Sequence, residues 1–130
     1  MTDKNKIELF EDATVRSLTS KHSGSTIFIN TEPALVTVEL PPPEMGLHFT
    51  FIIKNTNTSA GNNFLLKSVN SSHVLTALIY VGQLANVACN TVTLASATRE
   101  HLSSNITCIS DGTYWHMAIT SKTIGGFSAA

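Results

Sequence analysis

A chain of 130 residues that is 42% hydrophobic can build one domain around a real core without disulfide staples. Eight basic against nine acidic side chains leave a net charge of −1, which argues against a nucleic-acid binder and gives no attraction to an anionic membrane. Only 13% of residues are charged while Ser, Thr and Asn abound, so the exposed faces must be rich in hydroxyl and amide groups, a surface suited to fixed assembly.

The first residues, MTDKNKIELFEDATVR, are dense in charge and hold no apolar core of signal-peptide length, and no later run reaches transmembrane length. Synthesis in a host cytoplasm is the expectation. Residues 1–13 surround Ile7, Leu9 and Phe10 with charges, too little apolar surface to bury alone, and read as an extended N-terminal arm. Those three side chains are candidate anchors for a neighbour's sheet edge or pocket, with a bystander terminus as the plainer alternative.

The body is expected over residues 14–121, beginning with strands at Thr14 to Thr19 and Thr26 to Asn30. Val36, Val38 and Leu40 alternate with Thr37 and Glu39, the pattern of a half-buried strand. Pro41, Pro42 and Pro43 cannot donate ladder hydrogen bonds, so pairing stops there, and Gly46 permits the turn into the next run. This segment is a rigid connector in the simplest reading; Pro42 and Pro43 are also a candidate docking site. From Leu47 the alternation is cleanest: Leu47, Phe49, Phe51 and Ile53 on one face, His48, Thr50 and Lys54 on the other.

Asn55 to Asn63 is a polar loop, either mobile or ordered by a neighbouring subunit. Strands are predicted at Phe64 to Val69, His73 to Val81, Ala85 to Ala95, Asn105 to Ser110 and Tyr114 to Thr120. The run at His73 is apolar on both faces, hence central or covered by another sheet, with a helix as the lesser alternative. Ala97 to Leu102 is the one stretch with helical-turn character, and residues 122–130 read as a flexible tail. Many short strands spaced by turns predict an all-β single domain, a β-sandwich, jelly roll or small barrel.

Three segments, Leu18 to Asn30, Val36 to Lys54 and Ser110 to Ile119, carry a resemblance. Leu18-Thr19 with Ser23-Gly24 and a hydrophobic strand ending at Asn30, then Val36-x-Val38-x-Leu40-Pro41 with Gly46 before Phe49-x-Phe51, then Ser110-Asp111-Gly112-x-x-Trp115, resembles small virion structural proteins of tailed bacteriophages, including capsid decoration proteins and tail-associated β-modules. That family commonly has small residues after Leu-Pro and often Asn before the Trp; Pro42, Pro43 and Tyr114 stand there instead. The resemblance implies a non-enzymatic capsid decoration, or cement, protein on the virion surface, whose partners are the major capsid protein and copies of itself, as a homotrimer or, next, a dimer. The alternative is a tail fibre or spike-associated module that binds a receptor or glycan.

The Asp111-Gly112 turn places Trp115, Met117 and Ile119 on one apolar face, so Trp115 reads as core rather than ligand platform. Tyr114 and His116 face the other way, on a surface that is either an inter-subunit or sugar contact or ordinary solvated strand. No Asp or Glu lies between Glu44 and Glu100, and the five histidines show no HxH or HExxH spacing, so no catalytic site and no cofactor is expected. Cys89 and Cys108 read as small buried hydrophobes rather than a disulfide or metal pair, although a His101, Cys108 and His116 ion site is conceivable across neighbouring strands.

Overall fold

The computed structural model describes residues 6–31, 33–55, 64–68, 75–80, 84–89, 91–94, 104–120 and 127–129, with the backbone alone for residues 55, 75–80, 84–89, 91–94 and 127–129. Among them the chain is mostly strand, with a 3-10 turn at Ser20–His22 and no α-helix. The strands are β1 (Ile7–Phe10), β2 (Arg16–Ser17), β3 (Thr26–Asn30), β4 (Val36–Leu40), β5 (His48–Asn55), β6 (Phe64–Ser68), β7 (Leu75–Tyr80), β8 (Leu84–Cys89), β9 (Thr91–Leu94), β10 (Asn105–Ser110), β11 (Trp115–Thr120) and β12 (Phe127–Ala129). They form a seven-stranded sheet ordered β1-β3-β5-β10-β11-β7-β8 and a five-stranded sheet ordered β12-β9-β6-β4-β2. Both orders are open, so neither sheet closes on itself as a barrel.

The path between the sheets is unusual for short strands. From β1 to β6 the chain alternates strictly: β1, β3 and β5 enter the larger sheet and β2, β4 and β6 the smaller, and each successive pair within a sheet is parallel. Parallel neighbours need a crossover, and here the strand in the opposite sheet serves instead of a helix. The remaining ladders are antiparallel, except that β11 runs parallel to β7. These parallel ladders depart from an antiparallel jelly roll.

One buried cluster draws on both sheets. Ile27, Ile29, Phe49, Phe51, Ile53, Ile106, Trp115 and Ile119 from the larger sheet join Val36, Val38, Leu40, Phe64 and Leu66 from the smaller. The rings of Phe51 and Phe64 meet across the sheets at 5.8 Å, and Phe49 lies tilted against Trp115 at 5.7 Å. The alternation read from Leu47 to Lys54 and along Trp115 to Ile119 holds, with the apolar set inside. In β4 the expected polar face is only partly polar in effect, because Thr37 is buried too.

Four boundaries differ from the sequence reading. The arm expected over residues 1–13 is, over Ile7–Phe10, the edge strand of the larger sheet, paired with β3. Order there comes from backbone hydrogen bonds and one buried side chain, Phe10, so low apolar content did not prevent docking. The strand at Thr14 to Thr19 shrinks to Arg16–Ser17. The run from Ala85 to Ala95 divides into β8 and β9, which belong to different sheets. The tail expected over residues 122–130 contains β12, whose Phe127 pairs with Leu94 on β9. Residues 1–5, the loop at 56–63 and the helical turn expected at Ala97 to Leu102 lie outside the described residues.

Candidate interaction surfaces

The β10–β11 hairpin is built by its own turn chemistry. Gly112 has φ +98°, a conformation that strains any residue with a Cβ, and Asp111 Oδ1 accepts hydrogen bonds from the backbone N–H groups of Thr113 and Tyr114, both at 2.8 Å. Asp111 N–H donates to the Tyr114 carbonyl at 3.1 Å, closing the turn. The other carboxylate oxygen lies 2.7 Å from His116 Nε2. This bond first, and then the two backbone N–H donors, hold the Asp111 carboxyl down at about 2, below its ordinary 3.8.

The proline connector is fastened to the same hairpin. Trp115 Nε1–H donates to the buried Pro41 carbonyl at 2.9 Å, a bond spanning the two segments. Gly46, at φ +88°, donates to the Ser110 carbonyl at 3.1 Å, and Ser110 N–H donates to Leu47 at 2.9 Å. These bonds place Met45 beside the hairpin tip, close to Gly112. Met45 is 78% exposed and Tyr114 45%; Pro42 is exposed and Pro43 half-buried. Tyr114 and Met45 therefore offer apolar surface next to the Asp111–His116 pair.

The second surface is the β1 edge. Lys6 Nζ donates to the carbonyls of Lys21 and Ser23 at 2.9 and 2.8 Å, tying the start of β1 to the turn before β3. Arg16 lies over the Phe10 ring at 5.2 Å and bonds Asp12 at 2.8 Å, so a cation covers the one buried side chain of the edge. Ile7 and Leu9 point outward, and with Glu8, Phe28 and Lys54 they line an open groove of about 390 Å³.

The predicted site residues thus fall into two groups. Tyr114 and His116 share the hairpin end, with Pro42 and Pro43 on the connector fastened to it, while Ile7 and Leu9 lie on the β1 edge. Phe10 is not available as an anchor, because it is buried in the molecule's own core. Sequence reasoning missed Met45, Ile109, Phe28 and the partnership of Asp111 with His116. Strand alternation would have put Ile109 outward, opposite Cys108, whereas the Asp111–His116 contact needs the hairpin geometry.

A shared ion between Cys108 and His116 does not fit: Cys108 is fully buried on the inner face and His116 is exposed on the outer. Burial pushes the Cys108 thiol far up, leaving it uncharged and a poor ligand. Among the described residues no group of His, Cys, Asp or Glu gathers as a metal site, and no helix is long and apolar enough to cross a membrane. No protein-family model matches the chain, and no curated protein matches it significantly.

Proposed function

We propose that the chain is a non-enzymatic virion structural protein of a tailed bacteriophage, a capsid decoration protein that binds the assembled head and bridges neighbouring major capsid subunits. The observation that carries this reading is the hairpin end, where a rigid connector and a hydrogen-bonded turn present Met45, Tyr114 and Pro42 outward. Such preorganised apolar anchors bind with little loss of side-chain and loop freedom. The segments that carry the phage resemblance support it as well, since their apolar positions Ile27, Ile29, Val36, Val38, Phe49, Phe51 and Trp115 all serve the core. In this reading the two sheets pack as a sandwich that acts as a stiff body, the protein is made in the host cytoplasm, and it works on the capsid surface as an oligomer, for which the resemblance implies three copies or, next, two.

A tail-associated module that binds a receptor or glycan is the second reading. It is favoured by one feature: an exposed tyrosine beside a carboxylate that is already hydrogen-bonded and oriented, a pairing suited to a sugar's apolar face and hydroxyls. Gold-labelled antibody against the chain, applied to intact particles, separates the two. Label spread over the head is the expected result; label confined to the tail tip supports the second reading, and unlabelled particles would refute both.

A further inference from the structure

Asp111-Gly112 is the single place in the chain where an Asp or Asn precedes a glycine. Such a step carries chemistry of its own. The glycine nitrogen, unhindered by any Cβ on its own residue, can add to the side-chain carbonyl carbon of the aspartate and close a five-membered succinimide. One C–N bond forms, and the carboxyl OH leaves with the amide hydrogen as water. Water then reopens the ring: attack at the side-chain carbonyl restores aspartate, and attack at the main-chain carbonyl gives isoaspartate, whose backbone runs through the side chain and is one methylene longer. In the folded chain the groups this reaction needs are already engaged. Gly112 N–H donates to Ser110 Oγ at 3.2 Å, and Ser110 is buried at the end of the β10–β11 ladder, paired with Trp115. Asp111 Oδ1 takes the N–H groups of Thr113 and Tyr114, and Oδ2 lies 2.7 Å from His116 Nε2.

We propose that Asp111-Gly112 is a site of spontaneous backbone isomerisation, which Ser110 and His116 hold closed for as long as the β10–β11 hairpin stays folded. Ring closure draws the Asp111 side chain onto the nitrogen of its own following peptide. The carboxylate must then give up Thr113, Tyr114 and His116, and Gly112 must leave the Ser110 hydroxyl. Several charge-assisted or buried hydrogen bonds are lost together, and the folded hairpin therefore opposes a step that an open chain takes freely. Ionisation is a second barrier, because the oxygen departs as water only from a protonated carboxyl. A carboxyl lowered from 3.8 to about 2 is protonated roughly sixtyfold less often at any pH above both values. The product would be disruptive where it forms. An added methylene between Ser110 and Trp115 lengthens the turn that closes the ladder, at the tip that sits against Met45 and carries Tyr114.

This inference does not rest on the virion reading, because it concerns the purified chain alone. The test is to age the intact chain, Ser110→Ala and His116→Ala at pH 5 and 37 °C for several weeks, beside the intact chain unfolded in guanidinium chloride, with circular dichroism to verify which samples are folded. Peptide mapping with electron-transfer fragmentation, which tells isoaspartate from aspartate, reads the conversion at position 111. Isoaspartate should accumulate at least tenfold faster in the unfolded chain than in the folded one, and both folded variants should exceed the folded intact chain at least threefold. A rise in one variant alone upholds the inference and assigns the guard to that bond. Equal rates in the folded and unfolded intact chain overturn it, as does an unfolded chain that forms no isoaspartate at 111, or two folded variants that convert no faster than the intact protein. Should Ser110→Ala fail to fold, His116→Ala decides alone, since His116 is exposed.

Discussion

At the scale of single residues, the hairpin end owes its shape to a few polar atoms that each serve a defined purpose. The Trp115 indole N–H would be costly to bury unpaired, and the Pro41 carbonyl, at the end of a strand that proline terminates, takes it. Trp115 was legible as a core residue because Met117 and Ile119 follow it at a spacing of two, but its partner lies in another segment and no local pattern names it. Asp111 was legible as a turn former from the glycine that follows it; its second role, holding His116, required the strands to bring the fifth residue along back over the turn. That role has a pH signature. A carboxyl lowered from 3.8 to about 2 contributes stability that is fully present above about 4 and is lost as the pH falls through about 2. Replacing His116 with Ala removes the largest cause of the lowering, so the Asp111 titration midpoint followed by carboxyl NMR should rise toward 3.8. A midpoint that stays near 2 would instead assign the lowering to the Thr113 and Tyr114 amides.

Among the elements, β1 shows how far local composition can be trusted. Its Ile7, Leu9 and Phe10 are set among Lys6, Glu8 and Glu11, and only Phe10 becomes buried, which is why it reads as an unattached arm. What the composition does not display is the free edge of β3, which offers four residues of parallel pairing, and the two carbonyls that Lys6 reaches. A strand needs partners more than it needs apolar content. Phe10→Ala should therefore destabilise the chain by about 3 kcal/mol, measured by denaturant unfolding, while Leu9→Ala should change stability by less than about 0.5 kcal/mol. Equal and negligible effects at both positions would restore the arm reading. β10 and β11 were read within a residue of their true limits because their side-chain period is uninterrupted. The parallel ladders were not read at all. β3 finds its partner in β5 across an intervening strand that belongs to the other sheet, and the period of two is the same for parallel and antiparallel neighbours.

For the whole molecule, the distribution of surface chemistry matters more than any one pocket. The five-stranded sheet faces outward with an ion pair, the seven-stranded sheet with threonines and isolated aliphatic side chains, and the hairpin end with Met45, Tyr114 and Pro42. Composition revealed the low charge and the hydroxyl-rich surface from the start, since both are sums over the chain. It did not reveal the asymmetry between the two sheets, because Glu39, Lys67 and Ile109 acquire their neighbours only through pairing between segments distant in sequence. Adhesion to the phage head is the central claim, and co-sedimentation of the purified chain with heads stripped of their outer decoration tests it most directly. The chain should pellet with heads to a saturating stoichiometry, and a Met45→Ser, Tyr114→Ser double variant that stays folded should pellet at least tenfold less at the same concentration. A chain that remains in the supernatant at every concentration, or a double variant that saturates heads as fully as the intact protein, would contradict the account.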